Sequence, residues 1–269
     1  MLKLFGQSNI SFKLSVRKFS SLNTSFKKMS APDITLYTNG TPNGYKASIT
    51  FELLNIPYKV RDISFEKNEQ KEDWFLKINP NGRIPAIVDH SNGDFAVFES
   101  GAIIMYLAET YDKEHTIFPQ DPKLRSEAIQ WLMFQMGGVG PMMGQANHFF
   151  RYAPEKIPYG IKRYQEESKR LISVVESRLQ NKKYLVGDRI TAAEISLYPW
   201  IFSAPWGGID LSAYPNVQAW ASRLEEHEAF SKGLDVPEKN KMKEILKDPE
   251  LIEKTAKEAS AWIMKAQQK

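Results

Sequence analysis

The sequence predicts a small α/β domain of order βαβαββα followed by a larger all-α domain. Three observations carry this. Strand-length runs of alternating or apolar residues recur between Ile34 and Glu99, with helical periods between them. An Asn92-Gly93 pair stands between the last two runs, the signature of a hairpin turn. From Leu124 onward helical patterns dominate, punctuated by Pro141, Pro154, Pro158, Pro205 and Pro215. A chain of 269 residues has room for two ordinary domains.

The first element is the strand "ITLYT" from Ile34. A polar turn with Pro42 and Gly44 follows and opens the helix "YKASITFELLN". "YKVRDI" reads as a second strand, "EDWFLKI" as a short helix, and "RIPAIVD" and "FAVFE" as two further strands. "SGAIIMYLAETY" is a helix beginning near Ser100, and "HTIFPQDPK" is a linker. The domains are placed at 33–112 and 123–235, with a helical extension over 236–269. In that extension Ile252, Ala256, Ala259 and Ile263 make one narrow apolar stripe, which predicts packing across the domain or a partner subunit.

Residues 1–32 form a leader of another composition. They carry Lys3, Lys13, Arg17, Lys18, Lys27 and Lys28, many serines and no acid. Removing these six from the 36 basic residues leaves 30 against 32 acidic ones, so the body is at net −2 although the whole chain is at +4. The basic excess belongs to the leader and not to a nucleic-acid surface. Serine-rich, acid-free and with apolar residues between its cations, the leader reads as a mitochondrial transit peptide, the alternative being a disordered basic tail. "RKFSS" resembles a matrix-protease site with the cut after Phe19. Initiation at Met29 would delete the leader and give a cytosolic form.

Composition also excludes. No apolar run of about 18 residues is present, so no membrane-spanning helix is expected. Without cysteine there are no disulfides and no thiolate metal sites, and His90, His115, His148 and His227 lack ligand spacing, so no metal is expected. "GGVGPMMG" does not fit a dinucleotide-binding glycine pattern, and neither a P-loop nor a G-x-S-x-G elbow occurs.

The βαβαββα order with a proline ahead of the third strand resembles thioredoxin, and with an all-α domain appended it resembles the glutathione S-transferases. "NPNGRIPAIVD" is similar to the family's glutathione-clamping loop, "FESGAIIMYLAE" to its γ-glutamyl-binding turn and "YLVGDRITAAEISLYPW" to a helix-capping element of its second domain. "TPNGYK", "GGVGPMMGQANHFFRYAPEKIPYGIKRY" and "YPNVQAW" look like the bacterial nu class and a related fungal branch that includes a nitrogen-catabolite regulator. The likeness covers about residues 33–235.

The resemblance implies the following site. Pro85 is cis and turns the backbone of Ile84 outward to bond glutathione's cysteinyl unit like an added strand. Ser100 and the helix N-terminus hold the γ-glutamyl α-carboxylate and Glu99 pairs with its ammonium, the plain alternative for Ser100 being an N-cap. Arg83 and Gln70 match ligand-contacting positions. Arg163 matches an arginine suited to the carboxylate of a second glutathione; its alternative is an i,i+4 pair with Glu167. His148 and Arg151 are possible contacts in an aromatic wall that packing explains equally well. Thr191 with Glu194 is a capping box, a folding element, in which the family usually has Asp at the position of Glu194.

A thioredoxin-type fold without cysteine acts on thiols only if the ligand brings the thiol. Thr41 and Asn43, in the turn before the first helix, are the expected donors that lower the pKa of glutathione's sulfur; Tyr37, in the first strand, is the expected core residue. The resemblance therefore implies a glutathione-dependent transferase acting foremost as a disulfide-bond reductase, with conjugation to electrophiles or a weakly catalytic regulatory role as alternatives. Glutathione is the co-substrate, and a homodimer is implied by the family.

Overall fold

The structure is a computed structural model describing residues 31–267. The leader and its expected cleavage and initiation sites lie outside these residues. The first domain runs β1 (Ile34–Thr38), α1 (Pro42–Leu53), β2 (Lys59–Asp62), α2 (Asp73–Leu76), β3 (Ala86–Asp89), β4 (Phe95–Phe98) and α3 (Ser100–Tyr111). This is the βαβαββα order expected from the sequence. The sheet order is β2-β1-β3-β4, with β1 parallel to β2 and antiparallel to β3, and β3 antiparallel to β4.

The strands sort their side chains by period two. Ile34, Leu36 and Ile87 meet Ala47 and Phe51 of α1 and Ile103 and Leu107 of α3 on one face. Ile63, Phe75 and Ala86 pack on the opposite face with Tyr37 and Ile78. β3 and β4 are joined through the turn expected at Asn92-Gly93. It is a 3₁₀ turn (His90–Asn92) followed by Gly93 and Asp94, both with positive φ, 71° and 57°. Asp89 sets this shape. Its buried carboxylate accepts from Ser91 Oγ (2.7 Å), Asn92 N (3.2 Å) and Tyr106 Oη (2.6 Å), and from Tyr111 Oη.

The second domain contains α4 (Pro122–Phe134), a π turn at Gln135–Val139, α5 (Gly140–Asn147), a second π turn at His148–Tyr152, α6 (Pro158–Leu179), α7 (Ala192–Phe202), α8 (Pro215–Glu225) and α9 (Glu228–Leu234). α7 is buried on every side from Ala192 to Ile201. Its N-terminus carries the expected capping box. Thr191 Oγ1 accepts from Ala193 N (3.2 Å), and Glu194 Oε2 accepts from Thr191 N (2.9 Å) and Thr191 Oγ1 (2.8 Å). The longer acid also reaches Leu185 N at 2.6 Å with Oε1. Burial raises the Glu194 carboxyl above its usual range, against these hydrogen bonds.

α1 belongs to both domains. Every residue from Gly44 to Phe51 is buried, because one side faces the sheet while Tyr45 and Ile49 enter the core of the second domain. On that side the approach is backbone to backbone. A Cβ on Gly233 of α9 would lie 2.7 Å from the Ile49 N, and Ser48 Oγ donates to Gly233 O at 2.6 Å.

Beyond α9 come α10 (Met242–Ile245) and α11 (Pro249–Gln267). Ala256 is buried and Ile252, Ala259 and Ile263 are half-buried, so the apolar stripe is the covered face. α11 reaches both domains: Trp262 stacks on Phe65, ring centroids 4.4 Å apart, and Ser260 Oγ donates to Tyr152 O at 2.6 Å. No helix among the described residues is long and apolar enough to cross a membrane.

Candidate active site

The loop from β1 to α1 is tied down before it enters the helix. Asn39 Nδ2 donates to Asp62 Oδ1 (3.0 Å) and Ile63 O (3.1 Å). Thr41 is the N-cap of α1, with Oγ1 accepting from Gly44 N at 3.1 Å, and Pro42 sits at the first helical position, where its missing N–H costs nothing. Gly44 is required by space: a Cβ there would meet Asn39 O at 2.4 Å and Thr38 Oγ1 at 2.5 Å.

Asn43 lies in the first turn. Its Oδ1 accepts from the indole Nε1 of Trp200 on α7 at 3.1 Å. An amide has one acceptor end and one donor end, so this bond fixes the oxygen toward the second domain and leaves Nδ2 to donate. The same holds for Thr41: its oxygen is occupied by the cap and its proton remains to give. Tyr37 does not compete. Its ring packs against Trp74 and Phe75, centroids 6.2 Å from each.

The second wall is the segment before β3. The Ile84-Pro85 peptide is cis. Ile84 precedes the β3 ladder, whose paired residues begin at Ala86. Asn79 shapes the approach, donating from Nδ2 to Arg83 O (2.6 Å) and accepting from Asn81 N (2.9 Å). The Arg83 side chain is exposed. Gln70 is buried, its Nε2 donating to Asn68 Oδ1 at 2.7 Å, and its Oε1 has no hydrogen-bond partner among the described residues.

The third wall is the start of α3. Glu99 is the N-cap with φ 69°, and its exposed side chain makes no capping bond. Ser100, read from the sequence as an alternative N-cap, is instead the first helical residue. The first α3 N–H that turns back is Ile103 N, to Glu99 O at 2.9 Å, so the N–H groups of Ser100, Gly101 and Ala102 face out of the helix. The Ser100 hydroxyl points inward, accepting from Lys46 Nζ at 3.2 Å and lying 3.6 Å from Met136 Sδ.

Sequence reasoning missed Lys46. It is 1% exposed, and Nζ donates to Gln135 Oε1 (2.5 Å) and Met136 Sδ (3.5 Å) as well as to Ser100. Burial pushes its amine down from 10.5 to about 7, with Glu99 opposing. The unfolded chain binds the proton more tightly than the fold does, so this group makes stability rise with pH from about 7 to 10.5. A signal was present: Lys46, Ile49 and Leu53 fall on one helical stripe, which placed a lysine in an apolar row.

In the second domain Arg163 is exposed on α6 and forms no ion pair among the described residues. The alternative pair with Glu167 is absent because Arg170 takes that carboxylate with two bonds, 2.9 and 2.8 Å. Arg151, a possible ligand contact, is committed to packing: its Nε donates to Trp206 O at 3.0 Å and its guanidinium lies over Phe150 and Trp206. His148 stands edge-on to Phe149, which stacks on Tyr164.

A thioredoxin-like sheet, a cis proline ahead of β3, open N–H groups on α3 and a helical domain that grips the β1–α1 loop define a two-domain protein that works on a thiol carried by its ligand. The chain belongs to the glutathione S-transferase family. The family's N-terminal domain matches residues 32–109 and its C-terminal domain residues 146–228. The disulfide-bond oxidoreductase YfcG of Escherichia coli is 40% identical over 205 residues, covering 75% of this chain and 94% of that protein. Among solved structures, a glutathione transferase homologue from Lodderomyces elongisporus with two GSH per subunit shares 44% identity at TM-score 0.73, over 76% of this chain and 99% of that one. The glutathione transferase URE2P6 from Phanerochaete chrysosporium, in complex with oxidised glutathione, shares 40% identity at TM-score 0.71, over 74% and 94%.

Proposed function

We propose that this chain is a glutathione-dependent transferase whose main reaction is reduction of small disulfides. The observation that carries it is the Trp200–Asn43 bond in a chain without cysteine: it aims an amide donor from the loop where the ligand's sulfur would lie. Hydrogen bonds from Asn43 Nδ2 and Thr41 Oγ1 favour the thiolate of glutathione over its thiol. The thiolate attacks one sulfur of the disulfide, a mixed disulfide forms and the other sulfur leaves as a thiolate. The thiolate of a second glutathione then attacks the glutathione sulfur of the mixed disulfide, the remaining half leaves as a thiolate and the two tripeptides depart joined as oxidised glutathione, so two electrons come from two tripeptides. The neighbours solved with two GSH or with oxidised glutathione support a site for both. Turnover of 2-hydroxyethyl disulfide should exceed conjugation of chlorodinitrobenzene; the reverse order would make electrophile transfer the main activity.

Ser100 and Arg163 should fail differently. Ser100→Ala disturbs the γ-glutamyl subsite in ground and transition states alike, raising KM for glutathione with a smaller effect on kcat. Arg163→Ala should harm disulfide substrates and spare electrophiles, since its partner is the second glutathione. Equal losses with both substrate types would remove Arg163 from that role.

The chain is further proposed to form a homodimer and to reach mitochondria. Exposed Phe95 and Phe98 on β4 and Met133 on α4 supply apolar surface for a partner subunit, and sedimentation at monomer mass would count against it. A fusion of residues 1–32 to a fluorescent reporter should enter mitochondria. A purely cytosolic reporter would sink this, whereas products starting near Ser20 and at Met29 would support dual targeting.

A further inference from the structure

Lys46 is a buried cation without a buried counter-ion. Its three donors meet Ser100 Oγ, Gln135 Oε1 and Met136 Sδ, all neutral. Burying an ammonium is costly unless an opposite charge accompanies it. Among the described residues, the elements around it supply none that touches the amine. α3 offers Glu99, an exposed carboxylate that acts on Lys46 only through space. The π turn after α4 offers only Gln135 and Met136, and α1 itself has no acid from Pro42 to Phe51. The polar pocket is also left incomplete: Gln135 is wholly buried, and its Nε2 has no hydrogen-bond partner among the described residues.

The cation stands directly behind the hydroxyl of the first residue of α3, where outward N–H groups already favour an anion. We propose that Lys46 is a positioning residue that supplies the missing half of an ion pair completed by the ligand, so that binding of glutathione's γ-glutamyl carboxylate and protonation of Lys46 are coupled. This rests on the reading of the α3 N-terminus as the γ-glutamyl subsite. Lys46 acts through Ser100 and makes no contact with the reacting sulfur. Its bonds to Gln135 and Met136 join the subsite to the second domain, and a Cβ on Gly101 would meet Met136 Cγ at 3.1 Å, so the arrangement has little slack.

The sign of the coupling follows. In the free protein the amine gives up its proton near pH 7. A carboxylate bound nearby favours the ammonium and raises that value, so the complex holds more protons than the free protein. Binding is then tightest below pH 7, takes up a proton near and above it, and weakens as pH rises. Each unit by which the ligand raises the amine's pKa weakens Kd by about tenfold across the window.

The test uses S-methylglutathione, which keeps both carboxylates and has no thiol to titrate. Calorimetric titrations from about pH 6.5 to 8.5 in buffers of differing ionisation enthalpy count the protons taken up. Wild-type protein should show net uptake and a Kd that weakens with pH. Lys46→Met, similar in length and uncharged, should show neither, with a Kd near the weak high-pH limit of the wild type. Binding to wild type with a flat Kd and no proton uptake would overturn the proposal while leaving the glutathione reading intact. Uptake by Lys46→Met equal to wild type would overturn it too, since a different group would be titrating. If Lys46→Met does not fold, Lys46→Arg takes its place: a guanidinium keeps its proton across this range, so uptake should vanish there as well, and uptake equal to wild type would overturn the proposal. Absence of binding to the wild type at every pH would overturn the γ-glutamyl reading and the proposal with it.

Discussion

Asn43→Ala is expected to lower kcat for disulfide reduction at neutral pH by roughly ten- to a hundred-fold while leaving glutathione affinity almost unchanged. A hydrogen bond to a charged group is worth about 1.5–3 kcal/mol, and each ~1.4 kcal/mol of lost thiolate stabilisation costs about tenfold in rate. Affinity should survive because, in the proposed site, Ile84, Glu99 and Ser100 hold the rest of the tripeptide. The thiol of bound glutathione should titrate at higher pH, visible as weaker thiolate absorbance. Asn43→Asp sharpens the test, because a carboxylate still accepts from Trp200 Nε1 and preserves that bond, yet puts an acceptor and a negative charge in place of the donor. It should be at least as inactive as Asn43→Ala. Thr41→Ala should act in the same direction more weakly, and Tyr37→Phe should do little. Loss of activity in Tyr37→Phe with a silent Asn43→Ala would identify a tyrosine-type transferase and remove the basis for preferring disulfides.

Glu194→Ala should lower stability by about 3–5 kcal/mol, through two buried N–H groups, those of Leu185 and Thr191, left without acceptors. For a chain of this size the melting temperature should fall by roughly 10 °C. Activity per folded molecule should stay near the wild-type level, since the side chain is wholly buried in the second domain. Glu194→Asp should keep the cap and lose the reach to Leu185, at about 1–3 kcal/mol. A melting temperature within about 2 °C of wild type for Glu194→Ala would show that the box contributes little.

What the sequence revealed tracks the range of the interactions involved. The strands of the first domain, the start of α3 and the capping box at Thr191 are local patterns, written in periods of two and 3.6 and in residue spacings of three. The place of the Asn92-Gly93 turn is legible locally but its form is not, because that is set by Asp89 and by Tyr106 and Tyr111 from α3. Arg163 and Glu167 have the right spacing for a pair, but Arg170 lies three residues from Glu167 on its other side and wins the carboxylate. Trp200 and Lys46 show the same limit at the site. Trp200 lies 157 residues from the side chain it orients, and Lys46 lies 89 residues from Gln135. Only the folded arrangement of the two domains brings them together.

The close contact of Gly233 with Ile49 governs how the molecule can move and melt. Where two domains meet through side chains alone, a hinge can open by sliding one rotamer past another. Here two main chains touch, and α1 completes both hydrophobic interiors. Rigid-body opening would tear α1 from one of them, so admission of a bulky disulfide falls to the segments around the cleft and not to a swing between halves. The halves should also share their fate on heating, with a single calorimetric transition whose van 't Hoff enthalpy matches the measured heat, and residues 33–112 expressed alone should expose one side of α1 and aggregate. In this chain the domain boundary is a division of sequence without being a division of cooperativity.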